Sequence, residues 1–332
     1  MNDKILLGHG SGGRLTRELV RSLFARILGD AGPHSFNDGV LLQVPGTSIV
    51  FTTDSFVVSP LFFPGGDIGT LAVCGTVNDL AVSGARPLYL SLGVILEEGL
   101  DMELLRRIVA SIALTARKAG VRVVCGDTKV VEHGHGDGIF INTAGIGILT
   151  HACDEHTVAR GDAVIINGTI GDHGMSLLTL RKGFDLHASL SSDCTPLYDL
   201  IRSVTAVVPV KWMRDPTRGG VATALHELCE EKPWGIVLRE TDLPFHESVS
   251  SLSELLGLDP LYSANEGKVL FVVAPEHADA VLALCKMHPD GKNASKIGIV
   301  SDVYPGKLVL KTAMDTYRTL GMLNADPLPR IC

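Results

Sequence analysis

Apolar and polar positions recur along this chain with two periods, and the switches between them mark out its elements. In the first half, positions 48–53 read as a strand that ends at Asp54, and 88–96 as another. Positions 139–149 form a third, apolar on both faces and interrupted by Gly145 and Gly147. A strand over 121–125 runs into Gly126-Asp127-Thr128. Between these, 68–85 reads as a helix of small residues. Positions 102–119 read as an amphipathic helix, since Leu104, Leu105, Ile108, Ile112 and Ala116 recur at helical spacing before Gly120.

A polar run over 151–160 interrupts the pattern, and the mixture then returns. Strands are expected over 163–167, 235–239, 269–273, 296–303 and 307–311, and helices over 173–182, 196–203, 221–231, 247–256 and 277–287. No sequence repeat relates the two halves. After Met314 the chain turns polar, and Pro327 and Pro329 remove backbone donors, which favours an extended, unpaired end. The pattern predicts an α+β protein with domains 1–150 and 151–313 and a flexible tail, 314–332.

Composition narrows the function classes. With 45% hydrophobic and 20% charged residues, the 332-residue chain is expected to fold around sizeable cores. A net charge of −8 argues against a surface that coats nucleic acid, and 5% aromatics against base-stacking platforms. Segment 68–85 is the nearest approach to a membrane span, but it carries Asn78-Asp79 and three glycines, so a buried helix is expected. The start has too short an apolar run for a signal peptide, which makes the cytoplasm the expected location, with no membrane or nucleic-acid partner. Seven cysteines without a CxxC suggest neither a disulfide framework nor a thiolate zinc site. Six sit in or beside apolar segments as small core residues. The seventh, Cys332, ends the chain, where composition offers no reason for a thiol.

Several segments carry candidate chemistry. Gly8-His9-Gly10-Ser11-Gly12-Gly13-Arg14 precedes a helical pattern from Leu15, a setting in which backbone N–H groups can approach a phosphate. Asp54, Asp79 and Asp127 end or interrupt apolar segments. Carboxylates so placed must be solvated, hydrogen-bonded or metal-bound, and oxygen ligands suit Mg²⁺ bridged to substrate phosphates. The bland alternative is that each caps a helix or turn. Gly171-Asp172-His173, Asp215-Pro216-Thr217-Arg218-Gly219-Gly220 and Asn265-Glu266-Gly267-Lys268 repeat one design, glycine plus ionisable residues at a strand or helix junction. His133-Gly134-His135 with Asp137 reads as a loop tip sooner than a metal site.

These segments together resemble a known family. Phe51-Thr52-Thr53-Asp54-Ser55, Phe62-Phe63-Pro64-Gly65-Gly66, Asn78-Asp79 followed by Ser83-Gly84-Ala85, and Gly126-Asp127-Thr128-Lys129 resemble the aminoimidazole ribonucleotide synthetase-like (PurM-like) superfamily. Within it, the Asp215–Gly220 and Asn265–Lys268 segments and the terminal Pro329-Arg330-Ile331-Cys332 resemble the hydrogenase-maturation carbamoyl dehydratases, the HypE family.

The resemblance implies a two-domain PurM-like fold. Its N-terminal domain would form a β-barrel-type interface in a homodimer, and its C-terminal domain would be an α/β sandwich. It implies ATP and Mg²⁺ as cofactors, carbamoylation of Cys332 by a partner, HypF, dehydration of the thiocarbamate to a thiocyanate, and delivery of cyanide to a HypC–HypD complex. On that reading Asp54, Asp79 and Asp127 hold the metal. Gly10, Ser11, Gly12, Gly13, Asn78, Thr128, Asp172 and Arg218 line the nucleotide site. Lys129 stabilises the transferring phosphoryl group, and Glu266 or His173 removes protons. Selenophosphate synthetase, thiamine-monophosphate kinase and the ribonucleotide synthetase itself are the sister alternatives, and a non-enzymatic scaffold presenting its tail is another.

Overall fold

The computed structural model describes residues 13–19, 21, 40–44, 46–183, 190–324, 328 and 330–332. A six-residue helix, α1 (Arg14–Leu19), comes first. The first domain then runs through β1 (Val40–Val44), β2 (Thr47–Phe56), the short ladder of β3 (Phe62–Phe63) and β4 (Gly66–Asp67), and α2 (Ile68–Val82). It continues with β5 (Ala85–Glu97), α3 (Met102–Lys118), β6 (Arg122–Val131) and β7 (Ile139–Leu149). Its five-stranded sheet has the order β1-β2-β7-β5-β6.

One face of that sheet is covered by α2. Thr143 of β7 donates to Ala72 O at 3.2 Å, and a Cβ on Gly145 would lie 2.7 Å from the Thr76 methyl, so the helix approaches as closely as it does only over glycine. Helix α2 is apolar on all sides because α3 and the second domain enclose what the sheet does not. Asp67 caps its start, accepting from Thr70 N–H at 2.8 Å. It stops at Val82, short of the expected 85, because Ala85 already belongs to β5. Among the described residues no helix covers the other face of the sheet. There Phe51, Ile146 and Tyr89 form a cross-strand apolar row, 36%, 38% and 41% exposed.

The second domain holds a seven-stranded sheet built from β8 (Ala163–Ile166), β9 (Trp212–Arg214), β10 (Gly235–Arg239), β11 (Leu270–Val273), β12 (Ser295–Ser301), β13 (Leu308–Lys311) and β14 (Tyr317–Leu320). The order is β14-β13-β10-β12-β8-β11-β9, with β10 and β13 parallel. Helices α4 (Asp172–Lys182), α5 (Tyr198–Thr205), α6 (Gly220–Cys229), α7 (Glu247–Leu256) and α8 (Ala278–Met287) pack around it. Ile166, Leu270 and Val272 turn to the α6 side, and Ile165, Phe271 and Val273 to α5 and α8. Central strands covered on both faces have no polar side, so β8 reads as a continuous apolar run.

Four expectations change. Asp54 and Asp127 do not terminate strands: β2 continues to Phe56 and β6 to Val131, their backbones held by ladder partners Thr143 and Gly93. Cys125 is exposed on β6 and not a core residue. Residues 317–320, expected in the tail, form β14 against β13. The end of the chain is also docked. Leu328, Ile331 and Cys332 are buried in one core with Phe56, Val58 and Phe63 of the first domain and Met175, Leu177 and Val249 of the second. Among the described residues no helix is long and apolar enough to cross a membrane.

Candidate active site

The chain end lies along the segment that follows β2. Val57 N–H donates to Cys332 O at 3.0 Å and Ser59 N–H to Arg330 O at 3.2 Å. His173, at the start of α4 and fully buried, meets Ile331 O through Nε2 at 2.6 Å and Ser192 Oγ through Nδ1 at 2.7 Å. A carbonyl only accepts, so Nε2 carries the proton. Burial, with Arg181 nearby, holds the imidazole below its ordinary pKa despite Asp193 and the Ile331 carbonyl. The ring is therefore neutral, and Nδ1 accepts from the Ser192 hydroxyl. Both nitrogens are engaged while the tail is docked.

Ser192 begins a three-residue link to Glu266. Next to it, Asp193 receives Glu266 N–H at 3.0 Å, Gly267 N–H at 3.2 Å and Lys268 Nζ at 2.8 Å. Burial works against the Asp193 charge, but Lys268 and these N–H groups hold it below the usual carboxylate range. Cys194 follows, and a hydrogen bond shared with Cys74 of α2, together with burial, raises its thiol well above the usual range. It is a protonated, inert thiol. Glu266 itself is 2% exposed, and its Oε1 has no hydrogen-bond partner among the described residues. Burial first, then the charges of Asp215, Asp193 and Asp54, push its carboxyl well above the ordinary range. A carboxylate in such surroundings is a strong base once ionised.

The other candidates divide. Asp79 accepts from Thr52 Oγ1 at 2.9 Å, and Asp54 lies on the same sheet face, its Oδ2 3.6 Å from where a Cβ of Gly75 would be. Asn78 is fully occupied by backbone, donating to Thr195 O at 3.1 Å and Glu266 O at 3.2 Å and accepting from Leu197 N–H at 2.8 Å. Its amide fastens α2 to the second domain. Asp172 accepts from Thr169 Oγ1 at 2.5 Å and lies 3.6 Å from Lys268 Nζ, while its buried Oδ1 has no partner among the described residues. Burial raises its pKa and Lys268 opposes the rise. Arg218 is half-buried in the turn into α6. Gly13 opens α1, and Gly10, Ser11 and Gly12 lie outside the described residues.

Asp127, Thr128 and Lys129 are elsewhere. Asp127 and Lys129 pair at 2.6 Å on the exposed edge strand β6, which keeps the Asp127 carboxyl below its ordinary range. Asp127 shares its register row with Gly93, Asn142 and Ser55, on the sheet face opposite Asp54. Among the described residues no three of His, Cys, Asp and Glu stand together as a metal cage, and the His133–His135 loop is no exception.

The AIR synthase related protein family matches in two parts, its N-terminal domain over residues 36–149 and its C-terminal domain over 159–311. The carbamoyl dehydratase HypE of Escherichia coli (strain K12) is 46% identical over 337 residues, covering 99% of this chain and 100% of that protein. The chain belongs to the HypE family.

Among solved structures, a HypE–HypF complex shares 44% identity with a TM-score of 0.86, covering 92% of this chain and 99% of that one. A HypE bound to ATP also shares 44% identity, with a TM-score of 0.83, covering 99% and 100%. For a HypE-family chain the PurM-like expectation of two mixed domains is met. Glu266 and His173 were legible in the sequence as ionisable residues at junctions. Asp193, Ser192 and Arg330 were assigned no role, because a short polar loop between apolar segments carries no signal of what it will face.

Proposed function

We propose that the chain dehydrates an S-carbamoyl group on its own Cys332 to a thiocyanate, consuming ATP, and thereby supplies the cyanide ligand for the iron of a [NiFe] hydrogenase. The observation that carries this reading is the burial of the terminal thiol in the seam between domains, where His173 joins the Ile331 carbonyl to Ser192, the first residue of the short link that holds Glu266. A scaffold that merely presents its tail has no need to bury the terminal thiol between its two domains. The full-length likeness to carbamoyl dehydratases supports it, as does the ATP-bound relative.

The reaction removes one oxygen and two protons from S–C(=O)–NH₂. ATP supplies the phosphoryl group that turns that oxygen into a good leaving group, and the products are thiocyanate, ADP and phosphate. Glu266 takes the N–H protons, and its raised proton affinity suits the task. His173 is the lesser candidate, because both nitrogens are spent on Ser192 and the tail; it holds the chain end in place. Asp54, whose charge reaches Glu266, and Asp79, bonded to Thr52 on the same sheet face, suit Mg²⁺, which would neutralise nucleotide phosphate charge there. The uncovered Phe51–Ile146–Tyr89 row supports a homodimer paired through the open sheet face. Asp127, Thr128 and Lys129 would then act from a second copy. HypF as carbamoyl donor, HypC–HypD as acceptor and a cytoplasmic setting complete the reading.

Intact-mass spectrometry after incubation with HypF, carbamoyl phosphate and ATP tests it. A carbamoyl gain followed by loss of one water, both on the C-terminal peptide and both absent in Cys332→Ser, is expected. A carbamoyl group on any other residue, or no loss of water, defeats the proposal.

A further inference from the structure

The docked end is gripped two residues before its thiol. Arg330 has a left-handed backbone, φ 57°, uncommon for a residue with a side chain. Its Nε donates to Val57 O at 2.9 Å, and its carbonyl accepts from Ser59 N–H at 3.2 Å and from the Arg181 guanidinium. Arg181 Nε in turn donates to Ser59 O at 2.7 Å. Two guanidinium groups therefore bracket residues 57–59. Asp137 brings an anion to them, pairing with the Arg330 guanidinium.

Asp137 belongs to the 132–138 loop, whose residues the reaction leaves unused. The loop is not loose. Glu97 Oε1 accepts from Gly134 N–H at 2.6 Å and Oε2 from Gly138 N–H at 2.9 Å, while Glu97 N–H returns to Gly138 O at 2.8 Å. The end of β5 thus clamps the loop, and the clamp sets where Asp137 stands relative to the tail.

We propose that Asp137 and Arg330 form a latch, a pair of positioning residues that keeps the chain end in the seam and opens to let Cys332 leave. The inference rests on the reading of Cys332 as a travelling thiol. The strength of the pair fits the role. Both side chains are partly solvated, 51% and 33% exposed, so the ion pair is weak enough to break in each cycle, whereas a fully buried pair would trap the tail. The buried His173–Ile331 bond sets the depth of docking, and the latch sets how often the end is docked.

The test is the rate at which iodoacetamide alkylates Cys332 in the full-length chain, read by mass spectrometry of the C-terminal peptide. Asp137→Asn is expected to raise the rate about two- to five-fold, the range for a partly exposed ion pair. Arg330→Ala, which also loses the Val57 bond, should raise it by about tenfold or more. Cys229 and Cys285, buried in the second domain, should stay as slow as in the parent, which shows the fold intact. Asp137→Arg combined with Arg330→Asp should regain protection relative to either single change. In single-turnover assays the open-latch variants should accept carbamoyl faster and dehydrate it more slowly, a split that general loss of structure would not produce. Parental alkylation rates in both single variants, or a swap as open as the singles, would overturn the latch. Alkylation requires no carbamoyl chemistry, so a working latch in a chain that is never carbamoylated would sink the functional reading alone.

Discussion

Two groups of ionisable residues that read alike in the sequence stand in opposite physical settings. Glu266 lies in the seam between domains, buried and surrounded by Asp215, Asp193 and Asp54, and its carboxyl is pushed up. Asp127 lies on the exposed edge strand β6, and its carboxyl is pulled down by Lys129 and by Thr128 N–H. The sheet order puts three strand steps between β2 and β6, about 14 Å at ~4.8 Å per step, and the register turns Asp127 to the face away from Asp54. The seam can store proton affinity without help. The edge has little to offer until something covers it, and in the proposed homodimer a second copy would do so.

The largest expected effect breaks the seam. Glu266→Gln keeps the shape of the side chain and removes the base. It should still bind Mg²⁺-ATP and accept carbamoyl on Cys332, yet accumulate the thiocarbamate, with dehydration slowed by about 10²-fold or more. Dehydration at the parental rate would move the base to His173 or to another group.

Mixing chains sharpens the comparison. If the edge of one copy completes the seam of the other, Asp127→Asn and Glu266→Gln damage the same site from different chains. Randomly reassorted dimers would be half mixed, and each mixed dimer would hold one intact site of two. Two inactive proteins should together recover about a quarter of parental turnover. No recovery, from variants shown to exchange subunits, would place both residues in a single-chain site or leave Asp127 outside it.

What was legible before the structure follows the same division. Helix α3 came out within a residue of its bounds because it has one buried face and a strict period, and strand β7 because it is one long apolar run between polar segments. Asp54 and Asp127 were misread as strand ends, since a polar residue inside an apolar run looks like a terminus until ladder partners are known. Strands β9 and β14, of three and four residues, are too short to show a period. Asn78 entered the expected nucleotide site through the family resemblance, and nothing in the sequence signalled that its amide would bond backbone of the second domain. The docked tail was least visible of all. Its prolines spoke for an extended end, and they did not reveal that Ile331 and Cys332 would fill the seam.

The smallest effect concerns stability against pH, and it separates the two carboxyls by sign. Glu266 has a folded pKa raised well above that of an ordinary glutamate, so folding favours its neutral form. That contribution is complete below the unfolded pKa and is lost as pH rises towards the folded one. Glu266→Gln, which cannot ionise, should therefore be more stable than the parent by an amount that grows with pH. The gain in Tm over the parent is expected to be larger at pH 8 than at pH 5. Asp127 runs the other way. Its folded pKa is depressed, so whatever it contributes is present above its unfolded pKa and lost in acid. Because water and salt screen its pair with Lys129, Asp127→Asn should show no stabilisation that grows between pH 5 and 8. Thermal scans of both variants beside the parent at the two pH values decide the matter: parallel pH profiles would mean that Glu266 is solvated after all, and the contrast between seam and edge would fail.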